Sequence, residues 1–232
     1  MTRQALNRLR TVARRRESYV GPWLPEPLVT THDVADDLEL ADSVSTAMLL
    51  VLESLTPTER AVFVLREVFA VEYDEIAAAL DKTPAAVRQI AHRAREHVAA
   101  RRPRRRVDPA EGRAVVDRFL RATVTGDLQA LLDVLAPDVV LTSDGGGRVS
   151  AALRPVVGRD KVSRFLAGLA MQGPFTATPL EVNGGPGVRV EVGGELALVA
   201  SIDVVDGQVV AFYLMRNPDK LQGVATAVRL HR

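Results

Sequence analysis

Residues Leu55–Arg106 read LTPTERAVFVLREVFAVEYDEIAAALDKTPAAVRQIAHRAREHVAARRPRRR, and this stretch decides what the chain is. Thr83 followed by Pro84 marks a helix start, because a threonine hydroxyl caps free amides and proline at the first position sacrifices no hydrogen bond. From there Val87, Ala91, Ala94 and Val98 recur at i, i+4, i+7 and i+11, one apolar stripe. Arg88, Gln89, His92 and Arg93 fall on other faces. Upstream, Tyr73, Ile76, Ala77 and Leu80 form a matching stripe on a shorter helix, joined to the first by a tight turn at Asp81–Lys82. Two short helices with facing stripes and a tight turn are the helix-turn-helix pair that sets its second helix in a DNA groove.

Working outward, Thr56-Pro57-Thr58-Glu59 is a capping box with proline at the first helical position. The helix it opens runs to Phe69 and turns Val62, Leu65 and Phe69 inward. Before it, Asp42–Leu55 predicts a helix with Val44, Met48, Val51, Leu52 and Leu55 as its buried stripe. The four helices make a small all-α domain. Pro103 ends the last of them, and the arginines around it are suited to phosphate contacts.

Charge is segregated along the chain even though the total is only +1. The first sixteen residues hold six arginines and no acid, Glu17 to Glu59 holds nine acids and no Lys or Arg, and Lys82 to Arg106 holds nine basic residues against Glu96 alone. Two basic arms separated by an acidic segment suggest two nucleic-acid contacts, with solvated helix faces as the plainer reading. The 232 residues allow one or two domains, and 47% hydrophobic with 25% charged residues is a globular composition. Zero cysteines exclude disulfides, zinc–thiolate sites and thiol catalysis. No apolar run approaches the roughly 18 residues of a spanning helix, and the N-terminus lacks a signal-peptide core, so the cytoplasm is the expected location.

Residues 2–17 predict a basic helix with Ala5, Leu9, Val12 and Ala13 on one side and no cap before it. Gly21-Pro22-Trp23-Leu24-Pro25-Glu26-Pro27 follows, a stiff extended linker carrying the only tryptophan. Beyond Asp108-Pro109 the character changes. Residues 109–232 carry thirteen basic and thirteen acidic side chains and show no nucleic-acid footprint. Helices are expected over Ala114–Thr123, from Asp127 through Leu135, and over Arg159–Met171. Strands are expected at Asp138–Thr142, Val149–Val157, Thr176–Val182, Val188–Val192, Glu195–Val204 and Gln208–Met215. Turns fall at 144–147, 183–186, Gly193-Gly194 and Asp206-Gly207, the last two hairpin turns by type. The fold class is thus an all-α helix-turn-helix domain followed by an α+β cone, a curved antiparallel sheet with three helices.

With this context the stretch LTPTERAVFVLRE…YDEIAAAL…TPAAVRQIAHRARE resembles the promoter-reading fourth domain of extracytoplasmic-function sigma factors, and the cone resembles SnoaL-like domains of the NTF2-like fold. WLPEP at Trp23–Pro27, DGGGR at Asp144–Arg148 and NPDKL at Asn217–Leu221 are similar to the linker and C-terminal motifs of SigJ-type factors, which carry a fused SnoaL-like extension. Arg148 stands where that family often has lysine. The resemblance implies 1–17 as the end of sigma domain 2, 18–40 as linker, 41–106 as sigma domain 4 and 109–232 as a SnoaL-like regulatory domain. It also implies promoter DNA and core RNA polymerase as partners, with no membrane and no separate anti-sigma factor. Most of domain 2, which binds polymerase and opens DNA, is not visible in the sequence. Polymerase binding is therefore expected to be weakened, and this chain alone is expected not to initiate.

For the recognition helix the resemblance implies an upstream, −35-type element in the major groove. Arg88 is the first candidate for a base edge, since arginine reads guanine O6 and N7 with two parallel hydrogen bonds. Gln89 and His92 come next, with Lys82, Thr83 and Arg93 assigned to phosphates. Trp23, Leu24 and Pro25, with Asp144, Gly145, Gly146, Gly147 and Arg148 and with Asn217, Pro218, Asp219, Lys220 and Leu221, are candidate regulatory contacts; ordinary turns are the plainer reading. The cone offers no acid–base pair. His231 is its only histidine, Asp144 lies in a glycine turn, Asp203 is expected at a strand end and Asp206 in a hairpin. No catalytic residue, metal or cofactor is expected. The rival functions are a small-molecule-sensing helix-turn-helix regulator and a SnoaL-like enzyme tethered to a DNA-binding domain.

Overall fold

The structure, a computed structural model, describes residues 19–30, 45–101, 108–171 and 173–225. The basic helix expected at 2–17, the start of the helix expected from Asp42, the arginines at 102–106 and His231 lie outside the described residues. The described chain divides into two compact units, one containing 47–101 and the other 20–30 with 45–46 and 108–225.

The first unit contains α1 (Thr46–Ser54, whose first residue belongs to the other unit), α2 (Pro57–Phe63), α3 (Tyr73–Leu80) and α4 (Pro84–Arg101). The capping box of α2 forms as the sequence reads. The Thr56 hydroxyl accepts from Glu59 N–H, and the Glu59 carboxylate accepts from Thr56 N–H. The Thr56 hydroxyl also donates to the Glu59 carboxylate at 2.8 Å, which holds that carboxyl below the ordinary carboxylate range. After Phe63 the helix widens into a π-helical segment, Val64–Val68, and Ala70 stops it at φ 52°. The extra residue in the turn rotates everything beyond it. Phe63, ahead of the widened turn, lies in the core at 8% exposure, while Phe69, beyond it and expected inside, is 67% exposed.

Two clusters hold this unit together. Val62, Ile76, Ala77, Val87, Ile90 and Ala91 pack between α2, α3 and α4. Val51, Leu55, Phe63, Ala94 and Val98 pack between α1, α2 and the later turns of α4. All four residues of the stripe read from the sequence of α4 are buried.

The second unit is a seven-stranded sheet in the order β1-β4-β5-β6-β7-β2-β3, with helices packed against one face. Its strands are β1 (Val29–Thr30), β2 (Leu135–Asp144), β3 (Val156–Val157), β4 (Phe175–Val182), β5 (Gly185–Val192), β6 (Glu195–Val205) and β7 (Gln208–Met215). Its helices are α5 (Pro109–Thr125), α6 (Leu128–Val134), α7 (Arg159–Ala170) and the single turn α8 (Pro218–Leu221). Asp108 and Asp127 cap α5 and α6 through their carboxylates. Val115, Val116 and Phe119 of α5 reach the sheet, where Phe119 meets Phe212 at 5.2 Å between ring centroids.

Four expectations are corrected. Neighbouring strands are antiparallel except β2 and β7, which run parallel, so β2 arrives from α6 and closes the sheet by a crossover. The strand expected at Val149–Val157 shrinks to Val156–Val157, because the chain after Asp144 folds back on itself. A Cβ on Gly145 would lie 2.4 Å from Val149 O, so only glycine lets the backbone pass there. The turn expected over 183–186 is the two-residue Asn183-Gly184, whose positive φ values of 52° and 71° match a hairpin turn. Finally, the proline segment is more than a linker: its end becomes β1 and pairs with the edge strand β4.

Candidate nucleic-acid interface and linker clasp

The α3–α4 pair presents a solvent-facing strip of polar side chains. Asp81 ends α3 in the left-handed conformation at φ 55°, which turns the chain in two residues to Thr83. The Thr83 hydroxyl accepts from Ala86 N–H at 3.2 Å, the cap the sequence implied. Because Val87, Ala91, Ala94 and Val98 face the core, the helical period turns Arg88, Gln89, His92 and Arg93 outward, and all four are exposed together with Lys82 and Thr83. Arg88 and Gln89 make no side-chain hydrogen bond or ion pair with the described residues. His92 leans on Glu96 one turn on, at 3.5 Å, with both side chains mostly in water. Arg93 feels the Glu59 carboxylate electrostatically.

Arg95 does something the sequence reading did not separate from the other basic residues. Its Nε donates to Glu67 Oε1 at 2.8 Å and its Nη2 donates to Tyr73 Oη at 2.8 Å. Arg66 stacks on the Tyr73 ring at 4.7 Å and donates to Val71 O and Glu72. Arg95 therefore fixes α4 against the start of α3 and the π-helical segment that follows α2, and is spent on positioning. The signal was legible only as a charge at i+7 from Arg88, which spacing alone cannot assign.

In the second unit the three short motifs converge. Asp144, the last residue of β2, is fully buried. Its Oδ1 accepts from Gly146 N–H at 3.0 Å, which is the turn chemistry expected there. Its Oδ2 does more, accepting from Leu24 N–H at 2.8 Å and from Lys220 Nζ at 2.9 Å. Lys220 Nζ also donates to Leu24 O at 2.6 Å and sits 4.1 Å from the centre of the Trp23 ring. One ammonium and one carboxylate thus satisfy both backbone groups of Leu24, whose side chain is 1% exposed.

The other motif residues support this clasp. Gly146 and Gly147 take φ of 60° and 70°, and Gly145 leaves room for the returning chain. Arg148 pairs with Asp219 at 3.1 Å on the surface. Asn217 caps α8 by accepting from Asp219 N–H, Pro218 occupies the first helical position and Leu221 is buried. Pro25 is half-buried and Pro27 buried along the segment that leads to β1. Asn183, which the sequence reading treated only as a turn residue, also holds this segment. Its Oδ1 accepts from Leu28 N–H at 3.0 Å, its N–H donates to Leu28 O at 2.8 Å, and its Nδ2 donates to Thr46 Oγ1 at 2.9 Å.

Asp203 is not at a strand end; it lies within β6 opposite Ala211, beside a bulge. The Tyr213 hydroxyl donates to its carboxylate at 3.1 Å, and burial still pushes the Asp203 carboxyl up to about 6. Among the described residues no group of three His, Asp or Glu side chains is placed to hold a metal.

Residues 45–98 match the family described as Sigma-70, region 4. The chain is 40% identical over 238 aligned positions to the ECF RNA polymerase sigma factor SigJ of Mycobacterium tuberculosis, covering 96% of this chain and 76% of that protein. The crystal structure of the Mycobacterium tuberculosis extracytoplasmic function sigma factor SigJ aligns with a TM-score of 0.72 at 37% identity, covering 94% of this chain and 78% of that one. The architecture is the one expected, a helical unit followed by a sheet with helices packed on one face.

Proposed function

This chain belongs to the extracytoplasmic-function family of RNA polymerase sigma factors, and we propose that it reads the upstream promoter element through the first half of α4 while the cone grips the linker as an internal regulator. As a sigma factor it directs RNA polymerase to promoters, so promoter DNA and core polymerase are its partners. The observation that supports the reading helix is the fixed pattern of α4. Its core stripe and the Arg95 bonds hold the helix, leaving Arg88 and Gln89 unspent on the outer face. Arg88 takes the base-edge role, Gln89 and His92 flank it, and Lys82, Thr83 and Arg93 take phosphates.

Binding to the upstream element, measured against every single-base variant at one fixed salt concentration, tests these roles. Arg88→Ala is expected to lose about 1–3 kcal/mol at one base position and little at the others. Lys82→Ala is expected to weaken all sequences alike and to flatten the salt dependence. A uniform loss for Arg88→Ala would reassign it to the backbone.

For the cone, the supporting observation is the Asp144–Lys220 pair closed around Leu24. A buried ion pair aimed at backbone of another segment holds that segment specifically, and a holding contact that can open is a means of regulation. This internal device works without a separate anti-sigma protein, and in the cytoplasm where polymerase acts.

A further inference from the structure

The inner face of the second unit's sheet does not pack fully against its helices. A cavity of about 320 Å³ remains, at the small end of the roughly 300–1,000 Å³ common for small-molecule sites. Its walls are apolar, with Phe119, Leu166, Leu169, Val190 and Phe212 among them. Among the described residues only two lining side chains are polar, Thr123 and Arg216. Thr123 is already committed, its hydroxyl donating to Phe119 O inside α5.

Arg216 is the exception to the greasy lining. It follows β7 immediately, and the alternation that turns Phe212 and Leu214 inward turns Arg216 the same way. Its Nη1 donates to Ser150 O, but its Nε is buried and has no hydrogen-bond partner among the described residues. Ser143, beside Leu214 on the neighbouring strand, has a buried hydroxyl that likewise finds no partner among the described residues. A guanidinium partly withdrawn from water, with its Nε left short of a partner, is costly, and burial accordingly lowers the Arg216 pKa. A carboxylate entering along the apolar walls would supply the acceptor through a charge-assisted bond. One cation matches one negative charge, so a dianionic phosphate fits poorly. Among the described residues the lining holds no carboxylate, histidine or lysine with which to turn a ligand over.

We propose that the cone binds an apolar monocarboxylic acid, its hydrocarbon part filling the cavity under α5 and α7 and its carboxylate on Arg216. The site belongs to the second unit alone and is independent of the regulatory reading of the clasp. The two do share a strand end, since Arg216 N–H donates to Asp144 O at 2.8 Å.

The test is calorimetric titration of the whole chain with decanoate and 2-naphthoate, and with the corresponding alcohols, decan-1-ol and 2-naphthalenemethanol. At least one acid is expected to bind saturably at one site per chain, its alcohol about tenfold or more weaker. Arg216→Met, checked for an intact melting transition, is expected to erase that preference while leaving the alcohol unchanged; Arg216→Lys should restore part of it. Ala177→Phe, which fills the cavity without touching charge, is expected to abolish binding of acid and alcohol together. Absence of saturable acid binding would overturn the proposal. So would an alcohol that binds as tightly as its acid, or acid binding that survives Ala177→Phe.

Discussion

The helix-turn-helix and the clasp use the same residue types in opposite ways. On α4, Arg88 sits in water with no partner among the described residues, carried on a helix whose other face is packed to near-zero exposure. In the cone, Asp144 is fully buried and Lys220 is 10% exposed, each committed to the other and to the Leu24 backbone. A charge left solvated is available to a partner and contributes little to stability. One that is buried and paired fixes a chain segment, and its loss strands its mate. The difference separates residues that read from residues that hold.

The sharpest way to break this comparison is to remove the holding carboxylate. Asp144→Ala leaves Lys220 buried beside two backbone groups and is expected to cost the second unit about 3–5 kcal/mol, read as a drop in its denaturant midpoint. Next comes the turn that lets the clasp form. Gly145→Ala puts a methyl 2.4 Å from Val149 O and is expected to cost about 1–3 kcal/mol by the same measurement. The half-buried Asp203 gives a smaller effect that depends on pH. Its carboxyl lies at about 6 when folded, above its unfolded value of about 4. Below about pH 4 both states keep the proton and nothing is lost; as pH rises toward about 6 the unfolded chain ionises first and stability falls. Asp203→Asn is therefore expected to gain on the wild type across that window, by up to about 2 kcal/mol, and to hold the gain above it. Melting temperatures of both proteins from acid to neutral pH read this directly. At the bottom of the scale, His92→Ala is expected to change stability by less than about 0.5 kcal/mol, since its pairing with Glu96 is solvated. If Asp144→Ala proved as mild as His92→Ala, the distinction between holding and reading charges would collapse.

The first unit was largely legible because its signals are local. The Thr83-Pro84 start, the capping box at Thr56 and the period of Val87, Ala91, Ala94 and Val98 depend on neighbours in sequence, and each stands as read. The miss at Phe69 came from a π-helical turn, which has no compositional marker at Val64–Val68. In the second unit the hairpins at Gly193-Gly194 and Asp206-Gly207 were legible from turn chemistry. The parallel β2–β7 pair was not, because register between strands more than sixty residues apart is set by packing rather than by local pattern. The three motifs were recognisable by family resemblance, but their joint geometry was not. Nothing local ties Leu24 to Asp144 and Lys220 across separations of 120 and 196 residues. Asn183 and Arg95 were passed over for the same reason, each having a local role that hid a distant one.

The most direct measurement is transcription from a cognate promoter with core RNA polymerase, comparing the wild-type sequence with Lys220→Met, each joined to an added sigma domain 2, at a temperature where both melt well above the assay. The linker grip is expected to matter to initiation, so that loss of the ammonium changes transcript yield by about fivefold or more, the scale of an ordinary coupling between sites, while affinity for the upstream element stays the same. Equal transcript from both proteins, with the clasp shown to be open by a shifted Trp23 emission in the variant, would contradict it.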